Sequence, residues 1–190
     1  MLNGFVNITK DLTKDIKQSL EDLAKKTICI GVPDSTEHPD SKITNAELLY
    51  IHTNGVRSTT MRRSMQHDLD SGMPYSKAHE LYVHENGSPL WDVPPRPILE
   101  PAMDNSKEAI AEQMKQVVIT ALGGNNLTPE LEKVGTLGQN AARNWFTNPE
   151  NNWQANSPDT IKRKGSDNPL IDKGQLRRSI IYTIQEGDKE

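Results

Sequence analysis

The stretch "GSPLWDVPPRPILEPA", residues 87–102, carries five prolines in sixteen positions. Proline has no backbone N–H to donate and biases the residue before it toward extended geometry, so the stretch cannot be regular helix or a central strand. The chain is therefore read as two groups of elements on either side of a stiff, extended arm or loop at about 87–101.

Upstream of the arm, Ile8, Leu12, Ile16, Leu20 and Leu23 recur at helical spacing among lysines and acids, which predicts an amphipathic N-terminal helix. "TICIGV" follows as a β-branched run ended by Gly31 and Pro33, a buried strand of about six residues. "PDSTEHPDSK" reads as a loop. Residues 43–53 read as helix. Their phrase "AELLYIHTNGV" (46–56) returns as "AHELYVHENGS" (78–88), with a polar insert at about 56–78 that holds a short helix around "MRRSMQHDLD". The offset between the copies occurs once, so a solenoid is excluded. Asn54-Gly55 and Asn86-Gly87 suit the left-handed residue that closes a helix, and each copy is read as a helix end that leads the chain out of the core.

Downstream of the arm, Asp104 or Ser106 can cap a helix with Ile110, Met114, Val117 or Val118, and Ala121 on its apolar stripe, ended by Gly123-Gly124. Thr128 as N-cap and Pro129 at N1 start another, with Leu131, Val134, Gly138, Ala141 or Ala142, and Trp145 on one face. Gly135 and Gly138 each cost about 1 kcal/mol of helix propensity, which points to close packing at those positions. Ser157 and Pro158 open a short helix that stops at Gly165, "PLIDKGQLRR" connects onward, and "SIIYTI" is a strand with Ile180, Tyr182 and Ile184 on one face. The reading is α+β: a small antiparallel sheet packed against several helices, in a single domain over residues 1–190.

Composition limits the function. Hydrophobic residues make up 34% of the chain, low enough that a lone monomer's core is thin and burial against other subunits would supply what is missing. A net charge of -4 argues against a protein that grips nucleic acid by neutralising phosphates. Cys29 is the one cysteine, which excludes an intramolecular disulfide and the paired-cysteine zinc frameworks. The first twenty residues lack a signal-peptide core and no apolar run is long enough to span a bilayer, so a soluble product with no membrane partner is expected.

His79, Glu80 and His84 approach the zinc-protease pattern, but a spacing of five turns the second imidazole away from the first. A metal-dependent hydrolase built on His52, His79 and His84 is the alternative from another class, weighed against histidines that are partly buried and hydrogen-bonded. Cys29 lies in an apolar strand, and no nucleophile motif or phosphate loop is present. "IKRKG" and "LRR" read as solvated faces or subunit contacts, and a weaker reading has Arg62, Arg63, Arg177 and Arg178 bind nucleic acid. The sequence thus argues for no enzyme and no cofactor. Rigid segments carrying apolar or arginine anchors suit interfaces instead: Trp91, Pro94, Pro95, Arg96 and Pro97 on the arm, then Trp153, Leu170, Ile171 and Leu176. The competing reading is that Trp91 and Trp153 cover their own core.

Three motifs in order resemble a family. They are Pro94, Pro95, Arg96 and Pro97 with Pro101; Ser157, Thr160, Ile161, Lys164 and Gly165; and Pro169, Leu170, Ile171, Asp172, Gly174, Leu176 and Ser179 before the last strand. From about Ile28 to Ile184 the chain resembles the tail-component family of tailed phages, the siphophage neck or tail-completion proteins. That resemblance implies a structural virion protein made in the host cytoplasm and assembled as a ring of six or twelve at the head-tail junction. It implies neighbouring head-completion and tail-terminator or tail-tube proteins as partners, with DNA passing through and not bound by sequence. A tail terminator capping the tail tube is the alternative within that class.

Overall fold

A computed structural model of the chain describes residues 13–33, 43–86 and 91–187. The expected helix over residues 8–12, the loop at 34–42, His38, Gly87 and Pro89 lie outside the described residues. The chain is α+β, with two small two-stranded sheets and helices among the described residues, and it divides into two compact units, each drawn from segments distant in sequence.

The first unit comprises residues 1–30, 103–141 and 181–190. Helix α1 (Thr13–Ala24) precedes strand β1 (Lys26–Gly31), and β1 pairs with β4 (Ile181–Glu186), the last element. Lys25 O accepts from Gly187 N–H (2.9 Å) and Lys26 pairs with Glu186, so the start of β1 meets the end of β4 in the antiparallel sense. Helix α6 (Lys107–Leu122) and residues 128–141 of helix α7 (Thr128–Trp145) supply the core. Val117, Ala121, Leu127, Leu131 and Val134 are buried together, with Leu23, Ile28, Ile110 and Ile184 packed against them.

The two glycines of α7 are explained by this packing. A Cβ at Gly135 would overlap the ring of Tyr182, and one at Gly138 would overlap Ile30 Cδ1, so α7 lies flat against the two-stranded sheet where a side chain would hold it off. Tyr182 N–H donates to Gln139 Oε1 (3.2 Å), fixing the same approach. Two sequence expectations are corrected here. Thr128 is the first helical residue of α7 and not its cap, since Leu127 O already accepts from Leu131 N–H (3.0 Å). On α6 the core uses Ile110, Val117 and Ala121, while Met114 and Val118 face outward, because the apolar sector of this helix is wider than the surface it packs against.

The second unit comprises residues 31–102 and 142–180. Helix α2 (Asn45–Asn54) starts at a full capping box: Thr44 Oγ1 accepts from Glu47 N–H (3.1 Å) and Glu47 Oε2 from Thr44 N–H (2.7 Å). It ends at Gly55, whose φ of 69° and N–H bond to Ile51 O (2.8 Å) agree with the stop read at Asn54-Gly55. Strand β2 (Val56–Arg57) and helices α3 (Thr59–Asp70) and α4 (Tyr75–Asn86) follow. The polar insert is therefore more than a loop with one short helix. Met61 and Met65 of α3 are buried with Ala78 and Tyr82 of α4, with Leu69 and Met73 packed against them.

The proline-rich stretch is also more structured than the extended reading. Strand β3 (Trp91–Val93) pairs antiparallel with β2, with Val93 opposite Val56 and Trp91 opposite Arg57. Helix α5 (Leu99–Asn105) then begins inside the stretch, carrying Pro101 in its first turn, where the missing N–H has no intrahelical partner to lose. Among the described residues of the stretch only 94–98 are left irregular, and within them Arg96 and Ile98 are buried. After the single-turn 3-10 helix Pro149–Asn151 come α8 (Pro158–Lys164) and α9 (Gln175–Ser179). Ser157 caps α8 and Gly165 closes it at φ 70°, both as the sequence predicts, whereas α9 replaces what reads as a plain connection.

Candidate functional site

Residues of all three motifs that carry the family resemblance, the first distant in sequence from the adjoining second and third, line one cleft of the second unit, with a volume of about 300 Å³. Arg96 comes from the proline segment; Thr160, Arg163 and Lys164 from α8; Leu170, Asp172, Lys173, Gly174 and Leu176 from the loop and helix that follow. Leu48 and His52 of α2, the helix with the first copy of the repeated phrase, complete the wall together with Asn156 and Gln175.

Hydrogen bonds hold these segments together. Arg96 is 7% exposed, and its Nε and Nη2 donate to Gln154 O (3.2 and 2.8 Å). Its backbone N–H donates to His52 O (2.6 Å), closing the end of α2 onto the proline segment. Trp153 Nε1 donates to Pro97 O (3.2 Å), and the Trp153 ring stands edge-on to buried Phe146 with centroids 5.9 Å apart. Further along, Asn156 Nδ2 donates to Asp167 O (2.9 Å) and Lys164 Nζ to Asn168 O (2.7 Å), so each end of α8 is tied to the loop behind it. Leu170 holds a left-handed backbone at φ 57°, a conformation that a leucine adopts only when its surroundings impose it.

The residues predicted to mark interfaces separate into two groups. Arg96 and Leu176 are buried within their own unit, whereas Pro95 and Pro97 are exposed and Pro94, Trp153, Leu170 and Ile171 half-buried. Trp91 belongs to β3, opposite Arg57 of β2.

Four cations, Arg96, Arg163, Lys164 and Lys173, share the lining with a single acid, Asp172. Burial lowers the Arg96 pKa, and Lys164 is also pulled below the usual lysine range: desolvation lowers it most, Asp172 opposes this, Arg96 and Arg163 add to the lowering, and Asp167 opposes it. His52 is pushed down to about 4, first by burial and then by Arg96. It is therefore neutral near pH 7, and its buried Nδ1 has no hydrogen-bond partner among the described residues.

The histidines do not gather. His52 sits beside a guanidinium, His79 stacks on Tyr75 with ring centroids 6.1 Å apart, and His84 is exposed at the end of α4. Among the described residues no three His, Cys, Asp or Glu side chains are placed to hold a metal ion. The histidines of the repeated phrase thus occupy equivalent helix ends in unlike surroundings. Two side chains of the weaker nucleic-acid reading are near a structural brace: Arg177 Nε donates to Arg143 O (2.7 Å), while Arg143 donates to Ile180 O and Arg178 O (3.0 Å each).

Sequence reasoning named Arg96 but not the cleft. Arg163 and Lys164 fall in "IKRKG", read as a solvated face or subunit contact, Asp172 enters through its motif alone, and the one available signal was that "IKRKG" and "NPLIDKG" belong to an ordered set with "PPRP". Among the described residues no helix is long and apolar enough to cross a membrane. The chain matches no family model, no curated protein and no solved structure.

Proposed function

We propose that the chain is a structural protein of a tailed-phage neck, a tail-completion protein that assembles as a homo-oligomeric ring between the head connector and the tail, with no reaction of its own. The observation that carries this reading is the ordered set of motifs resembling the tail-component family, together with their convergence on a single cleft. Residues that are separate in sequence and meet in one wall constrain each other, which a chance scatter of prolines and lysines would not do. An acidic chain supports a ring around DNA, since its net charge of -4 disfavours tight phosphate binding. A low apolar content and outward apolar side chains on α6, Met114, Val118, Ile119 and Leu122, support burial against further subunits.

The test is genetic and visual. A phage with this gene interrupted should accumulate separate filled heads and defective tails, and the protein should appear in micrographs as density bridging the connector and the tail. Normal infectious particles from the interrupted gene would refute the reading. Density confined to the last tail-tube ring would replace it with a tail terminator.

A further inference from the structure

We infer that the cleft of the second unit is a binding site for an acidic peptide segment of a partner protein, whose carboxylates are received by Arg96, Arg163 and Lys164. The inference rests on the cleft's own chemistry and holds whether or not the protein belongs to a virion neck. Arg96 is buried and lines the cleft, yet its side chain donates to one neutral carbonyl and makes no ion pair among the described residues. A guanidinium removed from water without a carboxylate is costly, and an anion arriving from outside would offset that cost. Half-buried Lys164 likewise donates to a backbone carbonyl, and Asp172, the single acid in the lining, is outnumbered by the cleft's four cations. Thr160 Oγ1 accepts from Ser157 Oγ (3.0 Å), which leaves the Thr160 hydroxyl hydrogen to donate to a ligand.

Two features favour an acidic peptide over a nucleic-acid backbone. The cleft gathers four cations against one acid on a chain whose net charge is -4, so the chain as a whole opposes the approach of a long phosphate backbone while the cleft attracts a short anionic segment. Its cations also run from buried Arg96 through half-buried Lys164 to exposed Arg163, a graded row that suits successive carboxylates on an extended chain entering a pocket of about 300 Å³.

Titration of the whole protein with a fluorescein-labelled hexaglutamate peptide, followed by anisotropy, tests the inference. Binding is expected, weakening as salt is raised because exposed charges are screened, and hexaglutamine should not bind. The double substitution Arg163→Glu with Lys164→Glu should weaken hexaglutamate binding about tenfold or more, from two reversed charge contacts. Arg163→Gln alone, at an exposed position that leaves the fold intact, should weaken it a few-fold. Arg62→Glu on α3 should leave it unchanged, which separates the cleft from general surface charge. Equal affinity of the wild type and the Arg163 variants, or no binding at about millimolar peptide, where affinity is about -4 kcal/mol, would overturn the inference. So would displacement of the peptide by equimolar duplex DNA, inorganic phosphate or glutarate, each of which would assign the cleft to a different anion.

Discussion

Gly135 has Tyr182 where a Cβ would stand, and a phenol ring held in a sheet cannot yield by rotating a methyl group. Gly135→Ala should therefore destabilise the protein by about 1–2 kcal/mol, the overpacking cost exceeding the ~1 kcal/mol that alanine adds to helix propensity. Gly138→Ala meets the terminal methyl of Ile30, which can swing aside, so its effect should be the smaller of the two. Urea unfolding of both variants measures the difference, and a Gly135→Ala protein more stable than wild type would contradict the packing. His52 makes a second prediction at this scale. Its pKa is about 4 in the folded chain against 6.5 for an ordinary histidine, so the unfolded chain binds more protons between these values and stability falls as pH falls. The loss begins near pH 6.5, is complete below the folded pKa, and amounts to roughly 3 kcal/mol at most. His52→Gln should flatten this part of the stability-pH curve in thermal melts. An unchanged slope would mean that other groups dominate acid unfolding.

Among elements, those closed by local chemistry or marked by a long apolar run, such as β1 and β4, were legible, and the short ones closed by distant partners alone were not. Ser157, Pro158 and Gly165 bracket α8 where the sequence places it, because a cap, a first-turn proline and a left-handed glycine act within one turn. Ser157→Ala should cost about 1 kcal/mol, read as reduced resistance to urea, since Ser157 Oγ accepts from Thr160 N–H (3.3 Å). Strands β2 and β3, two and three residues long, carry no pattern of their own and exist through each other's hydrogen bonds. The insert looked polar because its apolar residues are few, yet Met61, Met65 and Leu69 fall four apart along α3, which is the spacing of one helix face. The cleft was illegible for the same reason as these two strands: Arg96 and Lys164 are 68 positions apart, and beyond the order of their motifs the sequence holds no sign that they meet. If the α3-α4 pair is a packed element, Met61→Ala should cost about 2–4 kcal/mol locally. Hydrogen exchange should then speed up across residues 59–86 while amides of β1 and β4 keep their protection.

At the scale of the whole molecule, the chain's apolar content and the place where it is spent bear on assembly. Met114, Val118 and Leu122 recur every four residues along α6, and Ile119, 59% exposed, extends the same outward sector. Helix α6 already buries Val117 and Ala121 on its core side, so this second face adds nothing to the unit's own core. Each such side chain, about half of it already out of water, contributes roughly 1 kcal/mol when covered, and symmetric repetition in a ring multiplies the gain with every subunit added. If the face is a subunit contact, Val118→Asp with Leu122→Asp should reduce the homo-oligomer to monomers in light scattering at micromolar concentration. The far-UV spectrum and melting temperature of the monomer should be little changed, because neither side chain belongs to the buried cluster. The variant separates two causes of failed assembly. Oligomers that persist with aspartates at both positions would place the contacts elsewhere and leave the ring reading intact. A wild-type chain that is monomeric under the same conditions, and stays so with disrupted tails and connectors added, would remove the ring itself.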